Sequence, residues 1–477
     1  MSNAPKQQVN LAGAIAIGLA SMLGAGVFVV FRDAYAITPG GLFLAIALAA
    51  LVASLNAGAV YSLASQIERP GGVYAYSRIY VNEHFSFAAG FAFVFGKIGS
   101  IAAIALAFQE YVWVGSPVWL PMGAIAVLTV INILGINRTA AVAAVLATAT
   151  TGYLVLVTIA GVFNTQYASA PHLAAGLTPN QDLPHILQAA SVVFFAFAGY
   201  ARVATLGNEV RDAKRNIPRA ILVTLTSVVL LYFALAVVLI GHLGADLAVI
   251  PGPLDALAQK VSPWLPSQIT PLVAGAASLG SILALLAGVS RTAAVMAEDR
   301  ELPKLFMRRN RFGSPWVSEV LIAAGAMGLV SIGKLSWVIG FSCFSVLFYY
   351  SVGHLSLWFQ PVEDRKMPRW LAALGFVLCW ALAFAVPGPA VGVSLVILGV
   401  ALLVRYLARY NRPELKAKRK RTSGSAVAMG AINEIFHPHA HNAQIMIDEQ
   451  REARLEKGFP GDPLDKSFDE YKKGKQT

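Results

Sequence analysis

Two clusters of small residues interrupt long apolar stretches of this sequence: Gly24-Ala25-Gly26, set between Met22 and Phe28, and Ala196-Phe197-Ala198-Gly199, followed by Tyr200. A helix in hydrocarbon gains nothing from glycine, and a break there is tolerated only where other groups satisfy the freed backbone. At such a break, unpaired amides at the N-terminus of one half-helix favour an anion. Unpaired carbonyls at the C-terminus of the other favour a cation. The plainer reading is close packing, because small residues let helix backbones approach, and for one cluster alone the two readings weigh equally. A matched pair of interrupted helices in corresponding halves of a chain favours the break, and with it a binding site at mid-membrane.

A third feature is Lys97, in Phe95-Gly96-Lys97-Ile98-Gly99-Ser100. A cation at the centre of an apolar span costs on the order of 3 kcal/mol on insertion scales, so a functional role is the first expectation. The alternative is a lysine that snorkels to the interface or pairs structurally. Its central position makes snorkelling less attractive. For Arg202, three residues past Gly199 and close to the cytoplasmic interface, a structural pairing, with Glu209 as one partner, weighs at least as much as a functional role, and Glu110 is expected at an interface.

These residues need helices to hold them. The chain has 477 residues, 57% hydrophobic and only 13% charged, too apolar for a protein that covers its surface with charge. Apolar runs long enough to cross a bilayer about 30 Å thick recur from Leu11 to Tyr406. About twelve spans are predicted: Leu11–Phe31, Gly41–Leu63, Phe85–Val114, Val118–Leu134, Thr139–Phe163, Ile186–Leu206, Ala220–Gly241, Ile269–Ala297, Val317–Ile332, Ser336–Phe359, Trp370–Val386 and Pro389–Tyr406. The expected fold is an all-α membrane protein. Spans one to five and six to ten form two inverted halves with broken helices 1 and 6, and two extra C-terminal helices follow. The first span is too long and lacks the flanks of a cleavable signal.

A formal charge of +12 raises the question of nucleic acid. Its distribution answers otherwise. Bases gather in alternate loops, at Arg69 and Arg78, at Arg138, at Arg211, Lys214 and Arg215, at Arg300 to Arg311, and at Arg365, Lys366 and Arg369. Intervening loops hold little beyond Arg32, Lys260 and Lys334. This positive-inside pattern predicts a multi-pass protein of the plasma (inner) membrane, with both termini in the cytoplasm. Residues 1–10 are then a cytoplasmic N-terminus, 11–406 the membrane domain and 407–477 a polar cytoplasmic tail. In the tail, Lys416, Lys418, Arg419, Lys420 and Arg421 read as a solvated flank or as a patch resting on anionic headgroups. His437, His439 and His441 read as chance in a polar segment or as a weak metal site.

Other chemistries find little support. Cys343 and Cys379 lie inside apolar runs without metal-ligand spacing and are expected as small buried hydrophobes. His172, His185, His242 and His354 are isolated, so no nucleophile–base pair or metal cluster points to an enzyme. No phosphate-cradling glycine loop points to ATP, and no cofactor is implied. Paired breaks argue for a closed midplane site rather than a channel filter. What remains is a transporter, and a zwitterionic amino acid supplies both charges that paired breaks accommodate.

Five segments carry a resemblance to a known family. They are Gly18 to Phe28, Arg69-Pro70-Gly71-Gly72-Val73-Tyr74-Ala75-Tyr76, Phe194 to Tyr200, Asn208-Glu209-Val210-Arg211-Asp212 with Asn216 to Ala220, and Ser290-Arg291 with Met296 to Pro303. In this order they resemble the amino acid–polyamine–organocation permeases over nearly the whole membrane portion. The resemblance implies a secondary transporter for amino acids, coupled by proton symport or by exchange, with a polyamine or other organic amine as the alternative solute. It implies that the substrate carboxylate meets the amides of Ala25 and Gly26, beside Gly24. The amine would meet the carbonyls of Met22, Phe195 and Ala198, with Phe195 as an aromatic gate, Gly199 in the sixth-span break and room beside Ala198. Related arginine/agmatine exchangers carry a glutamate where this chain has Ala201, which puts exchange of that kind in doubt. Proton-coupled relatives place a fifth-span lysine facing the first break, where this chain has Thr151. Lys97 and Thr151 are thus the coupling candidates, with a structural hydroxyl as the default for Thr151.

Overall fold

The computed structural model describes residues 9–24, 26–67, 71–134, 139–164, 170–177, 182–199 and 210–410. Among them the chain is helical, its single β-type contact being an isolated bridge between Val9 and Val210. Ala25, Arg69, Pro70, Arg138, Tyr200, Ala201, Arg202, Asn208, Glu209 and the tail with His437, His439 and His441 lie outside the described residues.

The expected first span is two helices, α1 (Leu11–Met22) and α2 (Gly26–Ile37). Asn10 starts α1 by accepting the Gly13 amide at 2.8 Å, satisfying one of the orphan donors of a helix start. Beyond α2 come α3 (Leu42–Ala64), the short α4 (Val73–Tyr80), α5 (Glu83–Val112), α6 (Trp119–Ile133) and α7 (Thr139–Phe163). Asn82 caps α5 through two amides, those of His84 and Phe85, both at 3.0 Å.

The second part holds α8 (Ala170–Leu177), α9 (Leu183–Phe197), α10 (Ala213–Leu243), α11 (Pro253–Val261) and α12 (Ile269–Glu298). It closes with α13 (Trp316–Ile332), α14 (Leu335–Phe359), α15 (Arg369–Ala385) and α16 (Gly388–Tyr410). Among the described residues, six helical segments have the length and apolarity to cross a bilayer: Pro39–Ala64, Glu83–Val112, Arg215–Ala248, Ile269–Glu298, Leu335–Phe359 and Gly388–Arg409. Shorter apolar helices accompany them. This is the architecture of an integral multi-pass membrane protein.

The expected spans coincide with helices to within a few residues at most ends. Span six is α9, which stops at Phe197 where the break was expected, and its remainder from Tyr200 to Leu206 lies outside the described residues. Span seven begins earlier than expected, at Ala213, and carries Pro218 within its first turns. α5 lies at the centre, packed along α14 on one side and α12 on the other. α2 and α3 flank α9, and α1 lies against α10 and α7. The two interrupted segments therefore meet inside the bundle, with α5 passing beside them.

Candidate site at the paired helix breaks

α1 ends when the Leu23 amide bonds to Leu19 O at 2.7 Å, and the helix resumes only at Gly26. Between them Gly24 is a buried bend. The first amides of α2 have no partner within their own helix, which gives this end its affinity for negative charge. α9 stops at Phe197, where the Ala198 amide turns back to Phe195 O at 3.4 Å.

The two breaks press on one another. A Cβ placed on Gly199 would lie 2.0 Å from Ser21 O and 2.7 Å from Met22 N, so no side chain fits there while α1 stays in place. A Cβ on Gly26 would lie 3.0 Å from Ala196 Cα and 3.4 Å from the Phe195 ring. Neither glycine has a positive φ. At both positions the space a side chain would need is occupied by the other interrupted segment.

Met22, Phe195 and Ala198 are brought together as the sequence implied, and all three are buried. Two of their carbonyls already receive hydrogen bonds from side chains. The Tyr232 hydroxyl, on α10, lies 3.1 Å from Met22 O and 3.2 Å from Ala196 O, bridging both breaks. Its ring packs edge-on against Phe31 and tilted against Phe197. Lys97 Nζ donates to Ala198 O at 3.4 Å. The lysine is 6% exposed, and among the described residues no carboxylate lies within ion-pair distance of it. The place expected beside Ala198 is therefore reached by a side chain of the protein itself.

Around Lys97, α5 and α14 fit closely. Gly96 faces Ser345, Gly99 faces Phe341, and the Ser100 and Ser342 hydroxyls are 2.7 Å apart. Thr151 lies on α7, which packs on α1, and its hydroxyl is buried without a hydrogen-bond partner among the described residues.

The sequence profile described as amino acid permease matches residues 9–404. The chain belongs to this family. An uncharacterized transporter of Mycobacterium tuberculosis is 36% identical over 441 residues, 91% of this chain and 97% of its own length. An inner membrane transport protein of Escherichia coli is 27% identical over 73% of this chain and 84% of its own. The cationic amino acid transporter 7, chloroplastic, of Arabidopsis thaliana is 26% identical over 77% and 70% respectively. Family and relatives alike are transporters by name.

Sequence reasoning missed several polar groups of this permease. Tyr232 sits in an ordinary apolar run, Leu230-Leu231-Tyr232-Phe233, where the phenol is the one sign that a backbone acceptor must lie opposite. Cys343 is buried as expected, yet its thiol also donates to Ser191 O at 3.1 Å. His354 is not isolated: its Nε2 meets Asn56 Oδ1 at 2.8 Å, and Cys379 donates to the same oxygen. Glu110 is not merely interfacial, since Arg32 grips both its oxygens at 3.0 and 3.3 Å.

A larger network lies at the far end of α5. Glu301, its side chain wholly buried, meets Arg78 at 3.1 Å, Arg405 at 2.8 Å and Arg409 at 2.8 Å. Arg405 also donates to His84 Nδ1 at 2.9 Å and stacks on Phe87, while Arg409 pairs with Glu83. Tyr74 donates to Asp299 at 2.8 Å; burial, reinforced by that carboxylate, raises its phenol well above the ordinary tyrosine range.

Proposed function

We propose that this permease is a secondary transporter that moves amino acids across the plasma (inner) membrane by alternating access around the paired breaks. In this reading the chain makes about twelve passes, as two inverted five-helix halves plus two C-terminal helices, with both termini in the cytoplasm. The observation that carries the reading is the meeting of the two breaks, Gly199 against the Ser21–Met22 backbone with Tyr232 joining Met22 and Ala196. A solute seated there would face the α2 amides from Gly26 onward and the carbonyl ends of α1 and α9, next to Phe195. Rearrangement of one half against the other would expose it to either side.

Proton symport or exchange is the proposed coupling, with Lys97 as the group that binds and releases the proton and Thr151 as a further ligand. An organic amine without a carboxylate fits less well, because Lys97 already brings a positive charge to the Ala198 carbonyl.

Uptake of labelled amino acids into proteoliposomes tests the proposal, with and without a pH gradient and with and without internal substrate. The expected result is saturable amino acid uptake that free amino acids inhibit and their decarboxylated or esterified analogues do not. Equal inhibition by the bare amine would replace the amino acid with an amine as solute.

A further inference from the structure

Lys97 has a hydrogen-bonding inventory that the described residues do not complete. An ammonium carries three donors, and among the described residues this one has a single long bond, 3.4 Å to Ala198 O, at a position 6% exposed. Breaking up a buried ion pair leaves an unpaired charge at high cost, so a buried cation with no counter-ion among the described residues is open to an anion. The carboxylates on its own helix are engaged elsewhere, Glu83 with Arg409 and Glu110 with Arg32.

A second observation points the same way. Gly26, first residue of α2, packs on Ala196, two residues before the Ala198 carbonyl that Lys97 reaches. Two positive features thus converge on one break, the N-terminal amides of α2 and the Lys97 ammonium. Of the carbonyls there, Ala198 O receives Lys97, and the single Tyr232 proton is shared between Met22 O and Ala196 O. Among the described residues, the positive features at the break exceed the carbonyl share left unfilled.

We propose that Lys97 is the counter-ion for a carboxylate of the transported solute, and that the solute is an amino acid carrying a second carboxylate. The α2 amides receive one carboxylate and Lys97 the other. The same ammonium repels a cationic side chain, so it selects by repulsion as well as by attraction. The inference rests on the proposed transport of amino acids at the break and narrows it to one class.

The test is uptake into proteoliposomes of three labelled sets: glutamate and aspartate, alanine and leucine, lysine and arginine. The wild type is expected to prefer the acidic pair. Lys97→Gln is expected to lower the ratio of acidic to neutral uptake about a hundredfold, the scale set by removing one partner of a buried charge pair. Lys97→Arg keeps the charge and is expected to preserve most of that ratio while losing dependence on a proton gradient. Thermal stabilisation of the detergent-solubilised wild type by glutamate, absent with alanine, is the check that does not depend on any variant. Preference of the wild type for neutral or cationic amino acids would overturn the inference and leave the transporter reading intact. A Lys97→Gln ratio equal to the parent's would overturn it as well. Uptake of none of the three sets would overturn both.

Discussion

The carboxylate of Glu301 and the ammonium of Lys97 are both removed from water, and they keep different company. Glu301 has three arginines within 3.1 Å, drawn from α4 and α16, and every one of these contacts joins distant parts of the chain. Lys97 has one carbonyl at 3.4 Å and no carboxylate among the described residues. A charge so fully surrounded fixes helices to one another. A charge left short of partners keeps its capacity for something that arrives and leaves. Full compensation ties helices together, and under-compensation at a helix break is what the proposed role of Lys97 requires.

Glu301→Ala is the change that should disturb the fold most. Arg78 and Arg405 would lose the carboxylate they pair with and Arg409 one of its two, and breaking buried pairs of this kind costs about 3–5 kcal/mol. Thermal unfolding in detergent measures it, and a loss below about 1 kcal/mol would mean that this cluster is a solvated surface network after all.

Gly199→Ala comes next, because its Cβ would fall 2.0 Å from Ser21 O, a backbone atom with little freedom to move. Overpacking costs of about 1–3 kcal/mol are expected, together with loss of uptake. Gly26→Ala, whose closest contact is 3.0 Å, should retain a larger share of both. Equal behaviour of the two would show that the breaks do not depend on this contact.

Tyr232→Phe removes the hydroxyl shared by Met22 O and Ala196 O. Interhelical hydrogen bonds inside membranes are worth about 0.6–2 kcal/mol, so a loss in that range is expected, with slowed uptake. The smallest effect on stability belongs to Lys97→Met, expected to leave unfolding unchanged or to raise its midpoint, since an uncompensated charge is exchanged for an apolar side chain of similar length. Destabilisation beyond about 2 kcal/mol would place Lys97 in the same class as Glu301.

Much of this architecture was legible in the sequence, because length and apolarity alone mark a helix in hydrocarbon. Thr139–Phe163 is a helix at the expected bounds, and the first-span break falls at Gly24 as the clustered small residues indicated. Lys97 was legible for the same reason, a charge in an apolar run. What could not be read was which residue of another helix lies opposite. The pairing of Arg405 with Glu301 spans 104 residues, and that of Tyr232 with Met22 spans 210. No local period encodes such distances. The glycines show the difference most clearly: composition located them, and only the packed structure reveals that the neighbour of Gly199 is the backbone of α1.

Tyr232 carries one further consequence. Its hydroxyl faces two carbonyls, 3.1 Å and 3.2 Å away, but owns a single proton. At any instant it can make one full bond or two partial ones. Among the described residues the two carbonyls therefore share one donor, and the share each receives can change by rotation of an O–H bond, without moving any heavy atom. The junction is a two-position selector in which α1 and α9 hold one proton in common rather than one each.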